Sequence, residues 1–173
     1  MSGVGPDGSD GEAQGGAGPD DAAMRAVLGR FASGVTVVSG IGPEGPVGFT
    51  CQSFFSLSLA PPLVALAPSR LSVSWPHMHT RAAFTASILT DRQEALARAF
   101  SVKGRDKFRG VGWAPGTNGA PRIQDALAWV DCRVERVHDG GDHHLVIGRI
   151  LAVEVGDGEP LVFYRGGFGS FRA

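Results

Sequence analysis

The stretch Val47–Pro62 reads VGFTCQSFFSLSLAPP. Phe49, Cys51, Phe55, Leu57 and Leu59 take its odd positions, and Thr50, Gln52, Ser56 and Ser58 its even ones. Alternation of period two describes a strand with one face on a core and the other on something polar. That polar face carries hydroxyl and amide groups and no charge. Such groups suit hydrogen bonding to a flat heterocycle with several nitrogen and oxygen atoms. Pro61 and Pro62 end the strand, because proline donates nothing to a ladder. On composition alone the stretch also describes a Ser/Thr-rich strand half-buried in a β-sandwich.

Upstream, Asp21–Phe31 reads as a helix capped by Asp20 or Asp21, with Met24, Val27, Leu28 and Phe31 on one face. Gly34 stops it, Val35–Ser39 is a β-branched strand, and Gly42–Pro46 is a turn into the central stretch. Downstream, Leu63–Ala67 is a short strand. Pro68–Trp75, PSRLSVSW, sets Ser69, Ser72 and Ser74 around Arg70 at the entry to a short helix. Hydroxyls, free amides and one arginine there describe an anion site, with a capped loop as the alternative. Phe84–Leu89 is a strand, and Asp91 with Glu94 resembles a capping box for a helix ending near Phe100. The loop Ser101–Phe108, SVKGRDKF, is either solvated or turns a lysine or arginine toward a phosphate.

Val111–Arg122 is a long Gly/Pro loop around Trp113. From Leu127 to His138, Ala128, Val130, Cys132 and Val134 face one way and Asp131, Arg133 and Glu135 the other. Asp139-Gly-Gly-Asp142 is a hairpin turn, His143–Val155 the return strand, and Leu161–Tyr164 a last strand before Arg165-Gly-Gly-Phe168. Six or seven strands with two clear helices make an all-β barrel with small helices attached. Without βαβ alternation a Rossmann domain is not expected.

At 173 residues one domain is the default. Residues 1–20 hold Gly, Asp, Pro and Ser with almost no large apolar side chain, so they are expected to be a disordered tail, and residues 21–173 the domain. Gly3, Gly5 and Gly8 spell GxGxxG, but no strand precedes them and no helix follows. A net charge of −1 gives no basic footprint for nucleic acid or membrane. Apolar runs fall far short of the ~18 residues a membrane helix needs, and no secretion signal is expected. Cys51 and Cys132 form no CxxC or zinc spacing, which suggests a reduced, cytoplasmic protein.

No GxSxG, HExxH or Walker A motif is present. His138, His143 and His144 lie beside Asp139 and Asp142. In a strand His143 and His144 point to opposite faces, so they are poor metal partners. No metal is expected there, nor at His77 and His79. What remains is an active-site histidine at the barrel mouth, or a structural histidine in a hairpin turn.

Five segments in order, GFTCQSFFSLSLAPPLVAL, PSRLSVSW, FSVKGRDKF, GGDHHLVIGR and PLVFYRGGF, resemble the flavin reductase family of two-component monooxygenase systems, over residues ~24 to ~170. The resemblance implies a split β-barrel of the FMN-binding, Greek-key type, working as a homodimer. It implies transfer of hydride from NADH, with NADPH as the alternative, to FAD or FMN, and delivery of free reduced flavin to a partner monooxygenase. By the same resemblance Gly48, Thr50, Cys51, Gln52 and Ser53 lie along the isoalloxazine ring. Ala67, Ser69, Ser72 and Ser74 take the ribityl and phosphate groups. Phe100, Lys103, Lys107 and Phe108 close over the phosphate or adenine side. His143 lies near the nicotinamide as the catalytic residue, with Tyr164 and Arg165 beside the same pocket. Arg70, Lys103 and Arg105 are candidates for a flavin phosphate or a 2′-phosphate. Hydride chemistry needs orientation more than a strong acid or base, which fits the missing nucleophile motif. The rivals are a flavin-binding or haem-handling module without turnover, and an FMN-dependent oxidase on the same barrel.

Overall fold

The central stretch folds as two strands rather than one. The computed structural model describes residues 18–104 and 106–171; most of the expected tail, the GxGxxG glycines and Arg105 lie outside them. In chain order the described elements begin with α1 (Asp21–Leu28), β1 (Ser33–Gly34), β2 (Thr36–Gly42), β3 (Gly45–Cys51), β4 (Phe55–Leu59) and β5 (Pro62–Leu66). Next come α2 (Trp75–Arg81), β6 (Ala83–Ile88), a 3-10 turn (Asp91–Gln93) and α3 (Glu94–Ser101). The chain continues with β7 (Trp113–Pro115), β8 (Pro121–Ile123), β9 (Ala128–Gly140), β10 (His143–Val155), β11 (Leu161–Tyr164) and β12 (Gly167–Ser170).

Seven strands form one antiparallel sheet in the order β3-β2-β6-β9-β10-β5-β4, and β1-β11-β12 form a smaller one. β2 is buried on both faces, and its side chains separate the two cores by period two. Val38 joins Leu66, Trp75, Met78, Phe84, Cys132 and Val146 on one side. Val37, with Val35 just before the strand, joins Leu89, Ala97, Phe100, Phe108, Ile123 and Leu161 on the other. The long hairpin β9–β10 is joined by Gly141 and Asp142, with His143 opposite Gly140 and Gly141 at φ 76°. The glycine supplies the left-handed conformation such a tight turn requires.

Several expectations change. Gln52-Ser53-Phe54 interrupts the central strand, and Phe55, Leu57 and Leu59 are exposed, Leu59 by 89%. Among the described residues β4 is an edge strand paired with β5 alone. Asp20 does cap α1, accepting from the Ala23 amide at 2.7 Å, but the helix stops at Gly29 and buries no residue; Phe31 is 85% exposed. The expected capping box sits one residue earlier, with Thr90 and Gln93 as its pair. The supposed loop Val111–Arg122 contains the β7–β8 hairpin.

That hairpin covers part of the charged face of β9. Asp131 is fully buried beneath it. It accepts from the Thr85 hydroxyl (2.8 Å), the Thr117 amide and hydroxyl (2.7 and 2.8 Å), and Arg122 Nε and Nη2 (3.1 and 2.8 Å). Gly116 must lie flat against this carboxylate, since an added Cβ would come within 2.4 Å of Oδ1. Burial alone would raise the Asp131 carboxyl, but Arg122 and the Thr117 and Thr85 donors outweigh it and hold it below its ordinary value.

Candidate functional site

Gly48 is the hub of the flavin-side candidates. Its carbonyl accepts from the Ser74 hydroxyl at 3.0 Å and from Lys107 Nζ at 3.3 Å. Lys107 also donates to the Phe100 carbonyl at 3.0 Å, and burial pushes its ammonium below the ordinary lysine value. Phe100 meets Phe108 edge-on at 5.0 Å. A Cβ at Gly48 would stand 2.9 Å from the Phe100 ring, so only glycine lets β3 and α3 approach this closely. These contacts wall a cavity of about 770 Å³ lined by Gly48, Ser74, Lys103, Lys107 and Phe108. Lys103 is exposed at its rim, and Thr50 is turned away, donating to the Ala97 carbonyl at 2.6 Å.

A second cluster forms where β3 ends. Ser53 Oγ accepts from the Ala67 amide at 2.9 Å, donates to the Ala67 carbonyl at 3.3 Å and lies 3.3 Å from the Cys51 sulfur. The Cys51 thiol is buried, and burial raises its pKa despite the Ser53 contacts. Gln52 is exposed beside it.

The third cluster joins the serine loop to the β9–β10 turn. Ser69 pairs with His143 as an isolated bridge, and the His144 amide donates to the Pro68 carbonyl at 2.9 Å. Within the loop Ser69 Oγ accepts from the Leu71 amide and Ser72 Oγ from the Trp75 amide, both at 3.2 Å. His143 Nδ1 lies 2.7 Å from Asp142 Oδ1, and this bond holds the Asp142 carboxyl below the usual carboxylate range. With Asp142 ionised, Nδ1 carries the hydrogen and Nε2 is left open.

Loop 67–74 therefore ties together the β3 end, the Gly48 cavity and the histidine hairpin. Tyr164 and Arg165 are not part of that assembly: they sit at the β11–β12 turn, where the Arg165 amide donates to the Gly29 carbonyl at 2.9 Å. Glu44, Val47, His77 and Asp106 also line the 770 Å³ cavity. Sequence reasoning missed them as lining residues, and only His77 carried a signal, as the first residue of H-x-H. A larger cavity, about 1370 Å³, lies beside the β7–β8 hairpin between Thr90, Trp113, Trp129 and Glu159, and contains none of the sequence-predicted residues. Among the described residues no three His, Cys, Asp or Glu side chains group to hold a metal ion.

A family model described as "Flavin reductase like domain" matches residues 28–172. HsaB, the reductase subunit of a flavin-dependent monooxygenase from Mycobacterium tuberculosis, is 42% identical over 152 residues, covering 86% of this chain and 81% of HsaB. Component B of nitrilotriacetate monooxygenase from Mycobacterium thermoresistibile superposes with a TM-score of 0.84 at 40% identity, over 87% of this chain and 86% of that one. The NADH:FAD oxidoreductase SgcE6 of Streptomyces globisporus gives 0.83 at 35% identity, over 90% and 96%, and has also been solved in complex with NAD and FAD fragments. On this evidence the chain belongs to the flavin reductase-like domain family.

Proposed function

We propose that this protein is an NADH-dependent flavin reductase that supplies free reduced FAD or FMN to a partner monooxygenase. The reading is carried by loop 67–74, which meets the β3 end through Ser53 and the His143 hairpin through Ser69 and Pro68. Two ligand sides are thereby brought onto one segment. The cavity falls within the ~300–1,000 Å³ usual for small-molecule sites. Its chemistry fits a flavin nucleotide: a glycine wall, a hydroxyl at Ser74 and an exposed ammonium at Lys103. When bound, the nicotinamide and flavin would supply the redox chemistry of hydride transfer between them.

The chain's own residues orient. Lys107, committed to two carbonyls, braces the cavity wall rather than a phosphate. Ser53 fixes the Ala67 backbone, and Asp142 fixes the His143 ring through Nδ1. His143→Ala is expected to slow hydride transfer or raise the NADH KM while leaving flavin affinity nearly intact; unchanged NADH kinetics would remove His143 from the site.

Closure into a split barrel is supported by topology. β3 and β4 stand at opposite ends of the seven-strand order, yet only residues 52–54 separate them. Laid flat, six gaps would span about 29 Å, whereas four Cα steps reach about 14 Å; the sheet therefore curls. A homodimer is supported by apolar surface left uncovered in one chain: Val27, Leu28 and Phe31 around α1 and Leu57 and Leu59 on β4. With that partner, Tyr164 and Arg165 would complete the nicotinamide side from a neighbouring surface. Two free, buried cysteines suit a reducing compartment, the cytoplasm.

A further inference from the structure

Arg70 stands in the serine loop where an anion ligand was expected, but its Nε and Nη2 are directed to the β9–β10 turn. Its amide donates to the Asp142 carbonyl at 3.0 Å, its Nε to the Gly141 carbonyl at 2.6 Å, and its Nη2 lies 2.9 Å from Asp139 Oδ1. Asp139 Oδ1 also accepts from the Gly141 amide at 2.9 Å, so one carboxylate joins the turn to the arginine. The next two residues along β10 are tied to the same loop, His143 by its bridge to Ser69 and His144 by its bond to the Pro68 carbonyl.

We propose that Arg70 is a positioning residue: it clamps the Asp139–Asp142 turn onto loop 67–74 and so sets the place of His143 relative to the flavin side. A planar guanidinium reaches a carboxylate and a carbonyl at once, which a single ammonium does not do. The clamp gives the two ligand sides one shared mechanical element, and whatever orders the loop orders the histidine hairpin. This inference rests on the reductase reading for its kinetic consequence but not for its structural one.

The test compares Arg70→Gln, Arg70→Lys and Asp139→Asn with the unaltered protein. The ion pair is solvent-exposed and its worth modest, so Arg70→Gln should raise the NADH KM about three- to tenfold. FMN and riboflavin affinities should keep their ratio within about twofold, since riboflavin lacks only the phosphate. Asp139→Asn should act in the same direction, the double variant should be no worse than Arg70→Gln alone, and Arg70→Lys should restore part of the loss. Independently of turnover, exchange of the His144 amide hydrogen should accelerate in Arg70→Gln. Weakened FMN with riboflavin unaffected would make Arg70 a phosphate ligand and overturn the proposal. So would an unchanged NADH KM in both single variants, or unchanged His144 exchange. If the unaltered protein fails to oxidise NADH with any flavin, the reductase reading falls, and the exchange measurement still decides the clamp. Should Arg70→Gln not fold, Asp139→Asn carries the same comparisons.

Discussion

Asp131→Asn separates scaffold from site. The carboxylate is fully buried and takes hydrogen bonds from Thr85, Thr117 and Arg122. Asparagine keeps the shape but turns an N–H₂ toward donors and removes the charge facing Arg122. Breaking a buried ion pair costs about 3–5 kcal/mol. Arg122 retains Glu154 as a second partner at the surface, which places the cost at the lower end, about 3 kcal/mol. For a chain of this size that lowers Tm by about 6–12 °C.

The pH dependence follows from the sign of the shift. The folded carboxyl titrates below its unfolded value, so its contribution is complete above about pH 4 and is lost as pH falls through the lower folded value. Thermal unfolding followed by circular dichroism should show a constant gap between the two proteins from about pH 5 to 8, narrowing below about pH 4. Flavin and NADH KM at 25 °C should be unchanged. A Tm loss under about 2 °C would refute the buried network as a source of stability, and a changed KM with an intact Tm would make Asp131 part of the site.

Three further outcomes are expected. Gly48→Ala should drive Phe100 off β3, costing about 1–3 kcal/mol in urea unfolding and weakening flavin binding measured by fluorescence quenching; native stability would contradict the close approach. Ser72→Ala with Ser74→Ala should weaken flavin affinity, and an unaltered Kd would remove loop 67–74 from the flavin side. Cys132 is pushed up to about 12 by burial and the neighbouring Asp131, and Cys51 is raised as well. A thiol reagent at pH 8 should therefore label neither cysteine in the native protein and both after unfolding; rapid native labelling would contradict it.

What the chain discloses about itself follows the range of each signal. The Asp139–Asp142 turn, the Asp20 cap and strands β2, β6 and β10 are written in local chemistry, and they appear where the sequence places them. The break at Gln52-Ser53-Phe54 is legible only in part: Ser53 and Phe54 reverse the alternation there, but no local pattern tells that the pairing partner changes from β2 to β5. Alternation puts Asp131 on the charged face of β9, but a hairpin from residues 113–123 folds over it, a contact no local pattern encodes. The candidate site divides the same way. Serines and glycines marked loop 67–74 and β3, but whether a cation is free or committed depends on tertiary neighbours. Lys107 and Arg70 proved committed to backbone carbonyls, whereas Lys103 is exposed at the cavity rim.

The central claim is tested most directly by following NADH absorbance in air with purified protein and FAD or FMN added in turn. Rapid NADH loss that saturates with added flavin is the predicted result, and the better flavin identifies the preferred acceptor. A protein that holds flavin yet consumes neither NADH nor NADPH would contradict the account and favour a binding module or an oxidase on the same fold.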